Sequence, residues 1–134
     1  MSSRVSRAAH TFSFLCSLFL LLSATLVGAE VGLDVELGFH GVFELGQPFP
    51  LSVNLTNSGR PVEGIVEVEV WKGGPSRGVA PYSFIYREKV FLAAQSRKRV
   101  LLTVGPDSMA RPLTVRFSSP GVKVSREIDL RGHF

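Results

Sequence analysis

Beyond Ala29 the chain has two histidines, His40 beside Gly41 at a strand end and His133 next to the C-terminus; the third, His10, lies upstream. A serine nucleophile needs such a base and a third group to orient it, and no serine is read here as sitting in a nucleophile elbow. Asp34, Glu36, Glu67 and Glu69 form carboxylate pairs at two-residue spacing, which sets each pair on one side of an extended strand. Calcium takes six to eight oxygens, so two carboxylates per strand without an Asp-rich loop fall short. Their expected role is a solvated, charged face that discourages aggregation. The glycine-rich run GGPSRG, residues 73 to 78, lacks the Gly-Lys-Ser/Thr ending and the following helix of a phosphate loop. The expectation is a chain with no catalytic residue, no cofactor and no metal.

Two groups of residues are candidates for binding. Trp71, Tyr82 and Tyr86, with Phe84 between the tyrosines, flank the 73–81 stretch; such rings can stack on sugars, or can finish a core. Arg97, Lys98 and Arg99, together with Arg87 and Lys89, are the one basic concentration. They could meet acidic head groups or an acidic polymer, but Glu88, Glu67 and Glu69 are available as partners, so a salt-bridged outer face is expected. Asn54-Leu55-Thr56 is a glycosylation sequon, silent in a bacterial setting.

These residues must be delivered to their place of work. Arg4 and Arg7 precede the apolar run Phe12 to Leu22, and the small-residue patch SATLVGA puts Val27 and Ala29 three and one positions before Glu30. Basic, apolar, then small is the order of a secretory signal peptide, here residues 1–29. A membrane anchor needs about 20 apolar residues, and this run is shorter and interrupted by Ser23 and Thr25. The formal charge of +4 includes both leader arginines and no leader acid, which leaves 13 basic against 11 acidic residues, or +2, after cleavage. The sole cysteine, Cys16, lies in the leader. An exported domain without disulfides fits the periplasm or surface of a bacterium better than the disulfide-rich secreted domains of animals. Nucleic acid is excluded as a partner on the same ground, and a membrane enters only through an uncleaved leader or a C-terminal segment lying beyond this chain.

The remaining residues, 30–134, suffice for one domain. Short runs of period-two alternation recur, each closed by Gly, Pro, Asn or Ser, the pattern of an all-β sandwich. About seven antiparallel strands are expected: 31–39, with 42–45 continuing or switching its pairing; 50–56; 64–71; 82–92, with a bulge or split near Arg87; one through Val100, Leu102 and Val104; one through Leu113, Val115 and Phe117; and 122–130. Asn57 to Pro61 is read as a turn in which Asn and Gly tolerate positive φ, and 73–81 as a loop. Seven strands in about a hundred residues match an immunoglobulin-like sandwich.

The run FPLSVNLTNSGRPVEGIVEVEVW, followed by REKVFLAAQSRKRVLLTV, resembles bacterial extracytoplasmic immunoglobulin-like modules of the cell-adhesion-related kind. Similar modules follow the signal peptide of some large bacterial membrane proteins. The resemblance covers residues 31–130. It implies an exported scaffold or interaction module, with an envelope protein or downstream domains of a longer chain as its partner. The cysteine pair of antibody domains is absent, and the chain stops at Leu130-Arg131-Gly132-His133-Phe134, where the module usually continues into more protein. The alternative function is a carbohydrate-binding module that holds a polysaccharide on Trp71, Tyr82 and Tyr86.

Overall fold

Leu51, Val53 and Leu55 alternate with Ser52, Asn54 and Thr56, a period that puts the first set on one side of an extended chain. In the computed structural model, which describes residues 30–132, this segment is β2, Phe49–Asn57, with all three apolar side chains fully buried. It lies between β1, Val31–Leu37, and β5, Ser96–Val104, in an antiparallel three-stranded sheet. The second sheet has four antiparallel strands in the order β4, Val79–Leu92; β3, Val62–Gly74; β6, Leu113–Ser119; β7, Val122–Ile128. Val66, Val68 and Val70 of β3 and Leu113, Val115 and Phe117 of β6 supply its buried face. Burial of each such side chain contributes roughly 1.5–3 kcal/mol. The two apolar faces close over one core, and the architecture is the expected all-β, immunoglobulin-like sandwich of seven strands. The leader reading, residues 1–29, lies outside the described residues, as does His133.

Several boundaries differ from the sequence expectation. The first strand ends at Leu37 because Gly38 (φ 56°), His40 (φ 56°) and Gly41 (φ 85°) turn the chain. A Cβ on Gly38 would sit 2.1 Å from the Val42 carbonyl oxygen, so only glycine fits. Phe39 is thrown outward to 73% exposure, joined to Val42 by a single bridge, while Phe43 folds under and packs on Phe49 with ring centroids 4.5 Å apart. Residues 73–81 are mostly strand: β3 runs to Gly74, a short 3-10 turn spans Pro75–Arg77, and β4 starts at Val79. The expected bulge near Arg87 is absent. Pairing of β3 with β4 is regular from Val62↔Leu92 to Lys72↔Tyr82, and the irregularity falls between Lys72 and Gly74. The last strand stops at Ile128, although Leu130 remains buried in the 3-10 turn Leu130–Gly132.

The 57–61 turn uses hydrogen bonds instead of positive φ. Asn57 is only 2% exposed. Its Oδ1 accepts from the Gly59 N–H at 3.0 Å, and its Nδ2 donates to the carbonyls of Arg60 at 2.8 Å and Ala93 at 3.0 Å. This one amide therefore closes the β2–β3 connection and ties it to the β4–β5 connection.

Candidate interaction surfaces

The hairpin register decides which candidate residues meet. Directly opposed residues of an antiparallel pair share a face. Tyr82, Phe84 and Tyr86 oppose Lys72, Val70 and Val68, so they lie on the core side of their sheet; Trp71 opposes Ser83 on the outer side. The sheet thus separates Trp71 from the two tyrosines, and no flat ligand can stack on all three rings. Phe84 and Tyr86 pack edge to face at 5.0 Å, and Lys72 Nζ lies 5.7 Å from the Phe84 centroid. Trp71 is instead covered by the guanidinium of Arg111, 4.0 Å above its ring. A cleft of about 290 Å³ opens beside it, bordered by Pro75, Pro81, Ser108 and Arg111.

The basic run is divided by the same alternation. Arg97 opposes Thr56 and Arg99 opposes Asn54 on the outer face of the three-stranded sheet, whereas Lys98 opposes Leu55. Arg97 and Arg99 border an open hollow of about 690 Å³ over Gly32, Asp34, Asn54 and Thr56. Arg99 donates to Asn54 Oδ1 at 3.1 Å and approaches Glu36 at 3.8 Å; Lys98 Nζ donates to the Phe91 carbonyl at 3.4 Å. Of the expected salt bridges, Arg87 pairs with Glu67 at 2.6 Å, and Arg116 takes Glu69 at 2.8 Å. Arg126 reaches from β7 to Asp34 of β1 at 2.8 Å and so links the sheets. Among the described residues Glu88 has no cation against it.

Among the described residues no proton-transfer pair is assembled. His40 is exposed in the 38–41 turn, and among the described residues no hydrogen bond joins it to a serine or a carboxylate. One spacing passed over in the sequence, Gly74-Pro75-Ser76-Arg77-Gly78, matches the Gly-x-Ser-x-Gly of nucleophile elbows. That motif requires a strand-to-helix turn. Here it caps an antiparallel hairpin, with Ser76 exposed and a strand on either side. Arg131 has its pKa raised by a hydrogen bond to Asp129 and by attraction to the same carboxylate; a cation at every working pH offers no proton to a reaction. Among the described residues no group of three His, Cys, Asp or Glu could hold a metal ion, and no helix is long and apolar enough to cross a membrane.

The feature that sequence reasoning missed is the edge strand β4. Its 14 residues have one sheet neighbour, β3, and Lys98 of β5 reaches only the Phe91 carbonyl near its end. It exposes apolar side chains on both faces: Val79 55%, Tyr82 49%, Phe84 48%, Ile85 40% and Phe91 57%. The available signal was the run Tyr82-Ser83-Phe84-Ile85-Tyr86, in which neither phase is polar enough to mark a solvent face.

Residues 30–130, almost all of the described sandwich, match the family described as a domain of unknown function (DUF8726). The chain belongs to this family. No curated protein matches it. Among solved structures it is similar to a β-glucosidase from Erythrobacter marinus, with a TM-score of 0.50 and 16% identity over 75% of this chain. A β-glucosidase from Listeria innocua in complex with gluconolactone gives a TM-score of 0.50 and 17% identity, again over 75% of the chain. The match spans only 15% and 16% of those enzymes' lengths; at this identity it speaks for the sandwich fold alone.

Proposed function

We propose that this DUF8726 chain is an exported, non-enzymatic β-sandwich module of the bacterial cell envelope, acting in protein–protein contact through the edge strand β4. One observation carries this reading. A long, regular edge strand presents unpaired backbone groups in a row, and β4 adds exposed apolar side chains on both faces of that row. Soluble monomers blunt such edges with charge, proline or bulges; β4 carries Pro81 on one side and Arg87, Glu88 and Lys89 on the other, but the stretch Tyr82 to Tyr86 between them has none of these. An extended partner segment would complete the hydrogen-bond ladder while its side chains cover Phe84 and Ile85, the strand-addition mode of recognition. The leader-like residues 1–29 support export, and the +2 charge of residues 30–134 gives no reason to invoke an anionic polymer.

The test is photo-cross-linking in the producing cell, with a photoreactive residue at Ile85 and, as control, at Ser125 on the outer face of β7. The expected result is a defined protein adduct from position 85 only, recovered in the envelope fraction. A cytosolic protein, or equal labelling from both positions, overturns the proposal.

A further inference from the structure

We infer that the partner of β4 is a second copy of this chain, paired antiparallel about a two-fold axis at Ile85. The inference rests on the edge-strand reading above and names its occupant. A two-fold axis normal to the sheet keeps each residue on its own face, so directly opposed residues must have the same parity along the strand. The sequence VAPYSFIYREKVF, residues 79–91, then admits few registers.

Centred on Ile85, the strand is self-complementary. Phe84 meets Tyr86, an aromatic pair; Val79 meets Phe91, both exposed apolar groups; Ala80 meets Val90. Each charge meets a neutral partner: Ser83 stands opposite Arg87 and Pro81 opposite Lys89. Tyr82, whose hydroxyl can donate, stands opposite Glu88, the carboxylate with no cation against it among the described residues. Cross-strand aromatic pairs stabilise sheets, and like charges directly opposed destabilise them. Centring on Arg87 or Glu88 would oppose a charge with itself. Centring on Tyr86 puts Phe84 against Glu88 and Ile85 against Arg87, and centring on Phe84 puts Val79 against Lys89. Centring on Ser83 or Tyr82 leaves Phe91 beyond the partner strand, so the Ile85 register is the one that gives Val79, Phe84, Ile85 and Phe91 an apolar partner each. It joins two four-stranded sheets into one of eight strands, within the size range of open sheets.

The test uses the full chain with Cys16→Ser, so that added thiols are the only ones present. Sedimentation equilibrium is expected to give a concentration-dependent dimer, and Ile85→Lys, which places two ammonium groups at the axis, to give a folded monomer whose urea midpoint equals that of wild type at concentrations where wild type is itself dissociated. Opposed residues in antiparallel strands have Cα atoms about 4.5–5.5 Å apart, within disulfide range. Ile85→Cys is therefore expected to oxidise to a covalent dimer. Ser83→Cys alone should not, whereas a mixture of Ser83→Cys and Arg87→Cys should give the mixed dimer. A monomer at every concentration up to the solubility limit overturns the inference, as does a Ser83→Cys homodimer forming in place of the mixed one. A position-85 adduct in cells whose mass is not twice that of the form of the chain present there overturns the inference but leaves the edge-strand reading standing. No adduct at all removes both.

Discussion

Asn57 offers the sharpest test of how the sandwich is held together. Replacing it with alanine removes three hydrogen bonds, each contributing about 1 kcal/mol net. The losses are unequal. Arg60 and Ala93 are exposed, so their carbonyls can turn to water, and the Ala93 oxygen also accepts from Ser96 Oγ at 2.6 Å. Gly59 is buried, and its N–H is left without an acceptor, a cost of roughly 1–3 kcal/mol. The expected loss is about 2–3 kcal/mol, which for a domain of this size lowers Tm by roughly 10–20 °C at about 4–8 °C per kcal/mol. Urea unfolding followed by the fluorescence of Trp71, the single tryptophan, measures it. Asn57→Asp sharpens the test, because the carboxylate keeps the acceptor for Gly59 but turns a second oxygen toward two carbonyls. Burial and those acceptors raise its folded-state pKa above the unfolded value. A raised carboxylate destabilises above its folded pKa and recovers as pH falls through it. The aspartate variant should therefore be less stable than the alanine variant at neutral pH, with the gap narrowing on acidification. A loss below about 0.5 kcal/mol for Asn57→Ala would refute the reasoning, as would an aspartate variant of wild-type stability.

Two further substitutions probe the packing and the seam between the sheets. A Cβ at Gly64 would lie 2.6 Å from Phe117 Cζ and 2.6 Å from the Ser118 carbonyl, so Gly64→Ala should cost about 1–3 kcal/mol by overpacking. A thermal melt identical to wild type would show that β3 and β6 are not so close. Arg126→Ala removes a pair whose side chains are 52% and 72% exposed, so it should cost less than about 1 kcal/mol, with the difference shrinking in high salt; a larger, salt-independent loss would mean that the aliphatic stem, not the charge, links the sheets.

The core was legible because alternation is a local property. Leu51, Val53 and Leu55, or Val66, Val68 and Val70, declare their face without reference to any other strand, and all six are fully buried. The candidate site was not legible, because whether two side chains share a face across a hairpin depends on register. Trp71 and Tyr82 stand eleven positions apart, and only the Lys72↔Tyr82 pairing reveals that the sheet lies between them. Reading 73–81 as an open loop hid that pairing, since Gly73, Gly74 and Gly78 look like flexible linkage, whereas they supply the positive φ angles of a tight hairpin end. Asn57 closes its turn through its side-chain amide and not through a positive φ. Its partner at Ala93 is 36 residues away, a distance at which no local rule speaks. The same limit applied to Arg126, whose partner Asp34 lies 92 positions off.

The exposed edge follows from the unequal sizes of the two layers. The three-stranded sheet ends at β5, nine residues long, while the four-stranded sheet ends at β4, fourteen residues long. Lys98 of β5 reaches the Phe91 carbonyl, which puts β5 over the far end of β4, where Val90 and Leu92 are buried. At the near end Tyr82 and Phe84 are about half exposed. Both thus occupy core-side positions that stay half exposed, while Ile85 faces outward on the same edge strand. Cutting back β4 would remove this exposure, yet residues 79–86 retain full strand geometry, regular pairing to β3 from Tyr82 onward, and large apolar side chains. On the edge-strand proposal, a strand ordered by one neighbour and apolar toward its open side is half of an interface, and a symmetric partner is the simplest occupant to match it on both faces at once.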